Sequence, residues 1–239
     1  MSEFEPFPLS HDGASLVGQM IRPDGGGRRP AVLVMASAYG LGEHAKASAR
    51  ALAKRGWIAV ATDMYGGGAN YADPNAAGDD FAAIMAKPEL LRARVVAWFE
   101  AVAAHPDVNP ARVAAIGYCF GGRCVLELAR SGADARAVVS FHGVLTRDRP
   151  AEKGAVRAIV QAWCGAQDPY APIEDIAALR KEFEAAGATY EVFVFGHAAH
   201  SFTDPDAARA GRPGIEYDAL ADRVSWAGTL ALLDTVLAD

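Results

Sequence analysis

Short apolar runs alternate with stretches of helical spacing along most of the chain. Ser15–Ile21 reads as an opening strand, and Ala31–Met35 and Trp57–Thr62 as buried strands. Between the last two, Glu43–Arg55 has helical spacing and stops at Gly56. Pro88–Ala104 predicts a helix, with proline at its start and His105-Pro106 at its end. Arg112–Gly117 predicts a strand. Phe120–Arg130 predicts a helix closed by Ser131-Gly132. Ala135–Phe141 and Val156–Trp163 read as strands, Pro172–Ala186 as a helix, Tyr190–Phe195 as a strand and Tyr217–Leu237 as a closing helix. The glycine triplets Gly25–Gly27 and Gly66–Gly68 read as turns, and the Gly66–Gly78 stretch is glycine- and alanine-rich enough to move.

Apolar strands separated by amphipathic helices imply an α/β fold, a mostly parallel sheet covered on both faces. In such sheets the site lies beyond the carboxyl ends of the strands. That rule selects the loops Ala36–Gly42, Tyr118–Gly122, Phe141–Arg149, Gly165–Tyr170 and Gly196–Phe202.

Length and composition fit one domain over residues 1–239. At this size folding removes roughly 70–75% of the chain's surface from water. With 51% hydrophobic residues the chain has the material for such a core without disulfides or metals. A net charge of −6 and the absence of any Lys/Arg-rich run argue against nucleic acid as a partner. The longest apolar runs are too short to span a bilayer. The acidic start, MSEFEPFPLSHDG, lacks a secretory leader pattern, which points to the cytoplasm. Three cysteines, Cys119, Cys124 and Cys164, are too few and too odd for a disulfide framework.

The segment Gly117-Tyr118-Cys119-Phe120-Gly121-Gly122 follows a predicted strand and opens a predicted helix. It is the G-x-S-x-G elbow of an α/β-hydrolase fold with cysteine in the serine place. Glycines let the turn close tightly. The helix N-terminus favours negative charge, hence both a thiolate and an oxyanion. An inert cysteine in an ordinary strand–turn–helix is the competing reading, and the order of the remaining residues opposes it. An α/β-hydrolase runs nucleophile, acid, histidine. Asp168 follows the strand Val156–Trp163, and His200 follows the strand Tyr190–Phe195. His197 is a rival base closer to its strand end. Asp175, Asp204 and Asp206 are rival acids that fit the order less well.

At these positions the chain resembles the dienelactone hydrolase family, from about Leu16 to Leu237. The segments that carry the likeness are Leu41–His44, Ala61–Gly67, Gly117–Gly122, Ser140–Gly143, Gly165–Asp168 and His200–Phe202. The resemblance implies a triad of Cys119, Asp168 and His200, with oxyanion donors in the backbone N–H groups of Phe120 and Ala38. It implies no metal or organic cofactor. One position departs from the family: Ser37 stands where dienelactone hydrolases proper carry a glutamate that helps generate the thiolate. A hydroxyl cannot serve as a base near neutral pH, so the departure implies a shifted substrate.

The expected reaction is hydrolysis of a small ester or lactone through a thioester. Ser37, Tyr39, Tyr118 and His142 are expected around the substrate, and Arg123, Arg147 and Arg209 are candidate carboxylate binders. Cys124 and Cys164 are expected to be core residues. Either a monomer or a homodimer fits. Two alternatives stay open. One is a thioesterase or carboxylesterase on the same scaffold. The other is a binding or redox-sensing protein with a reactive Cys119 and no turnover.

Overall fold

The computed structural model describes residues 3–73 and 76–238. Eight strands form one sheet in the order β1-β2-β4-β3-β5-β6-β7-β8. β1 (Glu5–His11) and β2 (Ala14–Ile21) form an antiparallel hairpin, and β2 lies antiparallel to β4 (Ile58–Thr62). From β4 onward all pairings are parallel, through β3 (Arg29–Met35), β5 (Val108–Tyr118), β6 (Ala137–Phe141), β7 (Ile159–Gly165) and β8 (Tyr190–Phe195).

The strand pattern explains the layers. In β3, Ala31, Leu33 and Met35 face one core, whereas Val32 and Val34 face the other. In β5, Val113 and Ala115 oppose Ala114 and Ile116 in the same way. A strand with both faces apolar must be covered twice. Helices α3 (Pro88–Ala103), α4 (Phe120–Arg130) and α5 (Ile173–Ala186) contribute Trp98, Leu126 and Phe183 to the first core. Helices α1 (Glu43–Lys54) and α6 (Ala219–Val236) contribute Leu52 and Leu233 to the second. Among the described residues no helix is long and apolar enough to cross a membrane.

Two elements differ from the sequence expectation. The apolar pattern does not mark β1, although Asp12-Gly13 is a hairpin turn, with Asp12 at φ 49° and Gly13 at φ 73°. Its alternate residues are largely exposed, so the strand carries a weak apolar signal. A short helix, α2 (Gly78–Met85), follows the glycine-rich stretch, and Ile84 is its one buried residue. The start of that stretch is tied down: Gly67 N–H donates to Ser15 O at 2.9 Å and Tyr71 N–H to Tyr39 O at 2.9 Å. Pro74 and Asn75 lie outside the described residues.

Candidate active site

The strand–turn–helix elbow forms where β5 ends. Cys119 caps α4 with φ 54° and ψ −113°, a conformation that costs a non-glycine residue about 1–3 kcal/mol. Its surroundings hold it there. Cys119 N–H donates to Phe141 O at 3.1 Å, and Cys119 O accepts from the N–H of Arg123 at 3.2 Å and of Val144 at 3.4 Å. The glycines are required by backbone approach. A Cβ on Gly117 would lie 2.0 Å from Gly121 O, and one on Gly121 would lie 2.0 Å from Met35 O. No side chain can give way at either contact, because both obstacles are backbone. Gly121→Ala is therefore expected to cost about 3 kcal/mol or more, by the overpacking scale of buried substitutions. An unchanged urea midpoint in that variant would contradict the packing argument.

The carboxyl ends of five parallel strands surround a cavity of about 200 Å³. Ser37, Ala38 and Tyr39 reach it from the loop after β3, and Tyr118 and Cys119 from the end of β5. His142 and Val144 follow β6, Tyr170 follows β7, and His200, Ser201 and Asp204 follow β8.

Cys119 and His200 line the cavity, and Asp168, which does not line it, completes one chain of contacts through His200. The Cys119 thiol hydrogen-bonds to His200, and His200 Nδ1 lies 2.8 Å from Asp168 Oδ2. Asp168 and His200 are each only 3% exposed. The other Asp168 oxygen accepts the N–H of Tyr170 at 2.8 Å. The His200 backbone is clamped by Gly214 O at 2.9 Å and Glu216 N–H at 3.0 Å. The rival His197 is half-exposed and pairs with Asp218 at 3.4 Å, outside the cavity.

Electrostatics separate the cysteines. Burial is the largest influence on Cys119 and raises its pKa. The His200 charge and hydrogen bond, with the N–H groups of Phe120 and Ala38 on the sulfur, outweigh it and bring the thiol below its ordinary value. Cys124 is raised far above that value by burial, and Cys164 is pushed up to about 12 by burial and by Asp168. Both of these stay protonated and unreactive at neutral pH.

The histidines divide in the same manner. Burial lowers His200, but the Cys119 charge and the Asp168 hydrogen bond raise it to about 10. His142 is held well below the ordinary value by burial and then by the charges of His200 and His44. His44 is lowered by burial. Nε2 of His142 bonds Thr203 Oγ1 at 2.8 Å, and Nε2 of His44 donates to Thr203 O at 2.9 Å. One proton-carrying imidazole thus stands among neutral ones, and environments that push titratable groups apart are a mark of acid–base function.

All the expected surrounding residues reach this cavity, in different ways. Ser37 Oγ is engaged with Tyr39 N–H at 3.4 Å. The Tyr118 hydroxyl is held by Ser48 Oγ at 2.9 Å, so its ring forms wall while its polar end turns away. The arginines considered from the sequence are placed elsewhere. Arg123 is buried against Glu127 and Asp148, Arg147 pairs with Glu182, and the exposed Arg209 pairs with Asp206. Arg212 lines the cavity instead, with His44, Phe81 and Ile215. Arg212 and Ile215 follow a four-residue 3₁₀ turn, Ala207–Ala210, and no periodicity marks them. His44 was within reach, since it stands in a segment that carries the family likeness. Among the described residues no group of three or more His, Cys, Asp or Glu is placed to hold a metal ion.

The fold and the cleft define an α/β-hydrolase. The model of the dienelactone hydrolase family matches residues 16–237, and the chain belongs to that family. A putative carboxymethylenebutenolidase of Escherichia coli is 30% identical over 74% of this chain and 68% of its own. A solved dienelactone hydrolase-like promiscuous phosphotriesterase from metagenomic libraries is 34% identical over 99% of both chains, with a TM-score of 0.94. A putative dienelactone hydrolase of Klebsiella pneumoniae, 24% identical over 97% of this chain and 99% of its own, shares the fold with a TM-score of 0.77. The chain is an ester or lactone hydrolase of the dienelactone hydrolase type.

Proposed function

We propose that the chain hydrolyses a small ester or lactone by acyl transfer to Cys119, with His200 as acid–base and Asp168 as its orienting partner. The observation that carries this reading is the single run of contacts from a lowered thiol through a raised imidazole to a buried carboxylate. The thiolate adds to the carbonyl carbon, and the carbonyl electron pair moves onto oxygen. The N–H groups of Phe120 and Ala38, already on the sulfur, are near enough to receive that oxyanion, and such a donor is worth about 3 kcal/mol of barrier. The imidazolium gives its proton to the leaving alkoxide as the adduct collapses to a thioester.

Thioester formation removes the negative charge that holds His200 protonated. Its pKa falls, and the neutral imidazole then takes a proton from the water that cleaves the acyl group. His200 and the two N–H groups bring the thiol down with Ser37, and no glutamate, at that position. Asp168 keeps the Nδ1–H tautomer of His200 and stabilises its charged form.

The test is to quench the enzyme in acid during turnover of p-nitrophenyl acetate and to map adducts by mass spectrometry. An acetyl group on the Cys119 peptide, absent after the ester is exhausted, is the expected result. Turnover with no adduct at Cys119, or an acetyl group stable on another residue, would overturn the mechanism. Alkylation at Cys119 without turnover of any ester, lactone or thioester would favour a redox or binding protein.

A further inference from the structure

Tyr65 stands behind the cavity wall and does not line it. It belongs to the loop after β4, where Asp63 gathers the chain. Asp63 Oδ1 accepts the N–H groups of Tyr65 and Gly66, both at 2.9 Å. Asp63 Oδ2 accepts those of Val17 at 3.0 Å and Gly68 at 2.8 Å. Helix α3 takes two carbonyls of the same turn. Trp98 Nε1 donates to Asp63 O, and Arg94 Nη1 to Met64 O, each at 2.7 Å. Six bonds on so short a segment leave it little freedom, so the Tyr65 side chain is presented from a fixed base.

Its ring meets Tyr71 edge-on at 6.0 Å, and two further contacts fall on two particular residues. The Tyr65 ring stacks on Phe120, with centroids 5.8 Å apart and planes 9° apart. The Tyr65 hydroxyl donates to Ala38 O at 3.0 Å. Phe120 and Ala38 are the residues whose N–H groups reach the Cys119 sulfur. They come from separate loops, after β5 and after β3. Ala38 is the second residue of a turn closed by Gly40 N–H on Ser37 O at 3.0 Å, so Tyr65 holds that turn's central peptide. The same segment ties the loop twice more, through Leu41 N–H on Ala69 O and Tyr71 N–H on Tyr39 O, both at 2.9 Å. Burial, and then the charges of Cys124 and Cys119, raise the phenol's pKa, so the hydroxyl keeps its proton and remains a donor.

We propose that Tyr65 is a positioning residue for the oxyanion site, bracing the Ala38 and Phe120 N–H groups against each other through one hydrogen bond and one ring stack. The inference rests on the acyl-transfer reading of Cys119. An oxyanion site works because its donors are in place before charge develops. Slack between the two loops therefore slows the reaction without weakening ground-state binding. The Asp63–Gly67 segment, part of the family likeness, acquires a purpose on this view.

The test uses Tyr65→Phe, which removes the hydroxyl and keeps the ring on Phe120. Its kcat is expected to fall about tenfold with KM nearly unchanged, a fraction of the loss seen when an oxyanion donor is removed outright. Affinity for an aryl trifluoromethyl ketone should fall by the same factor. That probe forms a bond from sulfur to its carbonyl carbon and places the electron pair on oxygen, so it reports the oxyanion site. The limiting rate of iodoacetamide alkylation at high pH should match the wild type, because that displacement of iodide builds no oxyanion. Tyr65→Leu, which loses the stack as well, should fall further in kcat and ketone affinity. Wild-type kcat and ketone affinity in Tyr65→Phe would overturn the proposal. Equal losses in all three measurements would also overturn it, since they mark general disorder around Cys119. A wild type that forms no ketone adduct and keeps its activity in Cys119→Ala would remove the acyl-transfer reading itself, and this proposal with it.

Discussion

Cys119→Ala is expected to reduce kcat/KM for p-nitrophenyl acetate by at least about 10³-fold, roughly 4 kcal/mol of transition-state stabilisation. The size follows from what remains. Alanine keeps the N–H groups of Phe120 and Ala38, and His200 keeps its bond to Asp168. Binding and oxyanion stabilisation thus survive, while the covalent route is gone and water must attack directly. Residual catalysis of that kind persists in triad enzymes that lose a member. The substitution removes one sulfur atom from a half-buried position, so the urea midpoint should change little. The strained backbone at φ 54° also suits alanine no worse than cysteine. Side-by-side assays with matched unfolding curves give the answer. Equal kcat/KM in the two proteins would end the case for Cys119 as nucleophile.

The second large effect concerns pH. Thiolate reacts with iodoacetamide and thiol does not, so the alkylation rate follows the Cys119 titration. In the wild type the midpoint should lie below the free-cysteine value of about 8.5, because the folded pKa is lowered. The sign reverses in His200→Ala. That change deletes the charge and the hydrogen bond that lower the thiol, while burial, the largest single influence, still raises it. The midpoint should then move above about 8.5, leaving less than about 3% thiolate at pH 7. Alkylation at pH 7 should therefore be slower in His200→Ala than in the wild type, and the two profiles should converge at high pH. The upper limit of the ion pair is set by His200, which loses its proton near 10. Superimposable profiles for the two proteins would refute the pairing of Cys119 with His200.

Much of this protein could be read from its residues in order. Apolar runs such as Ala31–Met35 have no polar alternation, and that alone demands a strand buried on both faces and hence a parallel sheet. The elbow is equally local. Gly117, Gly121 and Gly122 bracket a cysteine between a strand and a helix, and a Cβ on either of the first two would fall 2.0 Å from a backbone oxygen. Asp168 and His200 could be placed because each follows its own strand, and parallel strands deliver all their carboxyl ends to one edge of the sheet. Helix α2 and strand β1 were less legible, since each buries only one residue and leaves little periodicity.

Tertiary structure alone decided the rest. His197 and His200 differ by three positions in one loop, and the assembled fold puts the first against Asp218 at the surface and the second against Asp168 in the interior. Arg212 enters the cavity because the chain beyond His200 returns to bridge Ile215 to it, a pairing that no local pattern encodes. The titration of Cys119 is likewise a sum over distant partners: a histidine 81 residues away in sequence and an N–H from the loop after β3 overcome burial together. Local sequence specifies backbone geometry through sterics and periodicity. Charge states and cavity walls depend on which side chains meet across the sheet, and that is settled only when the strands are assembled.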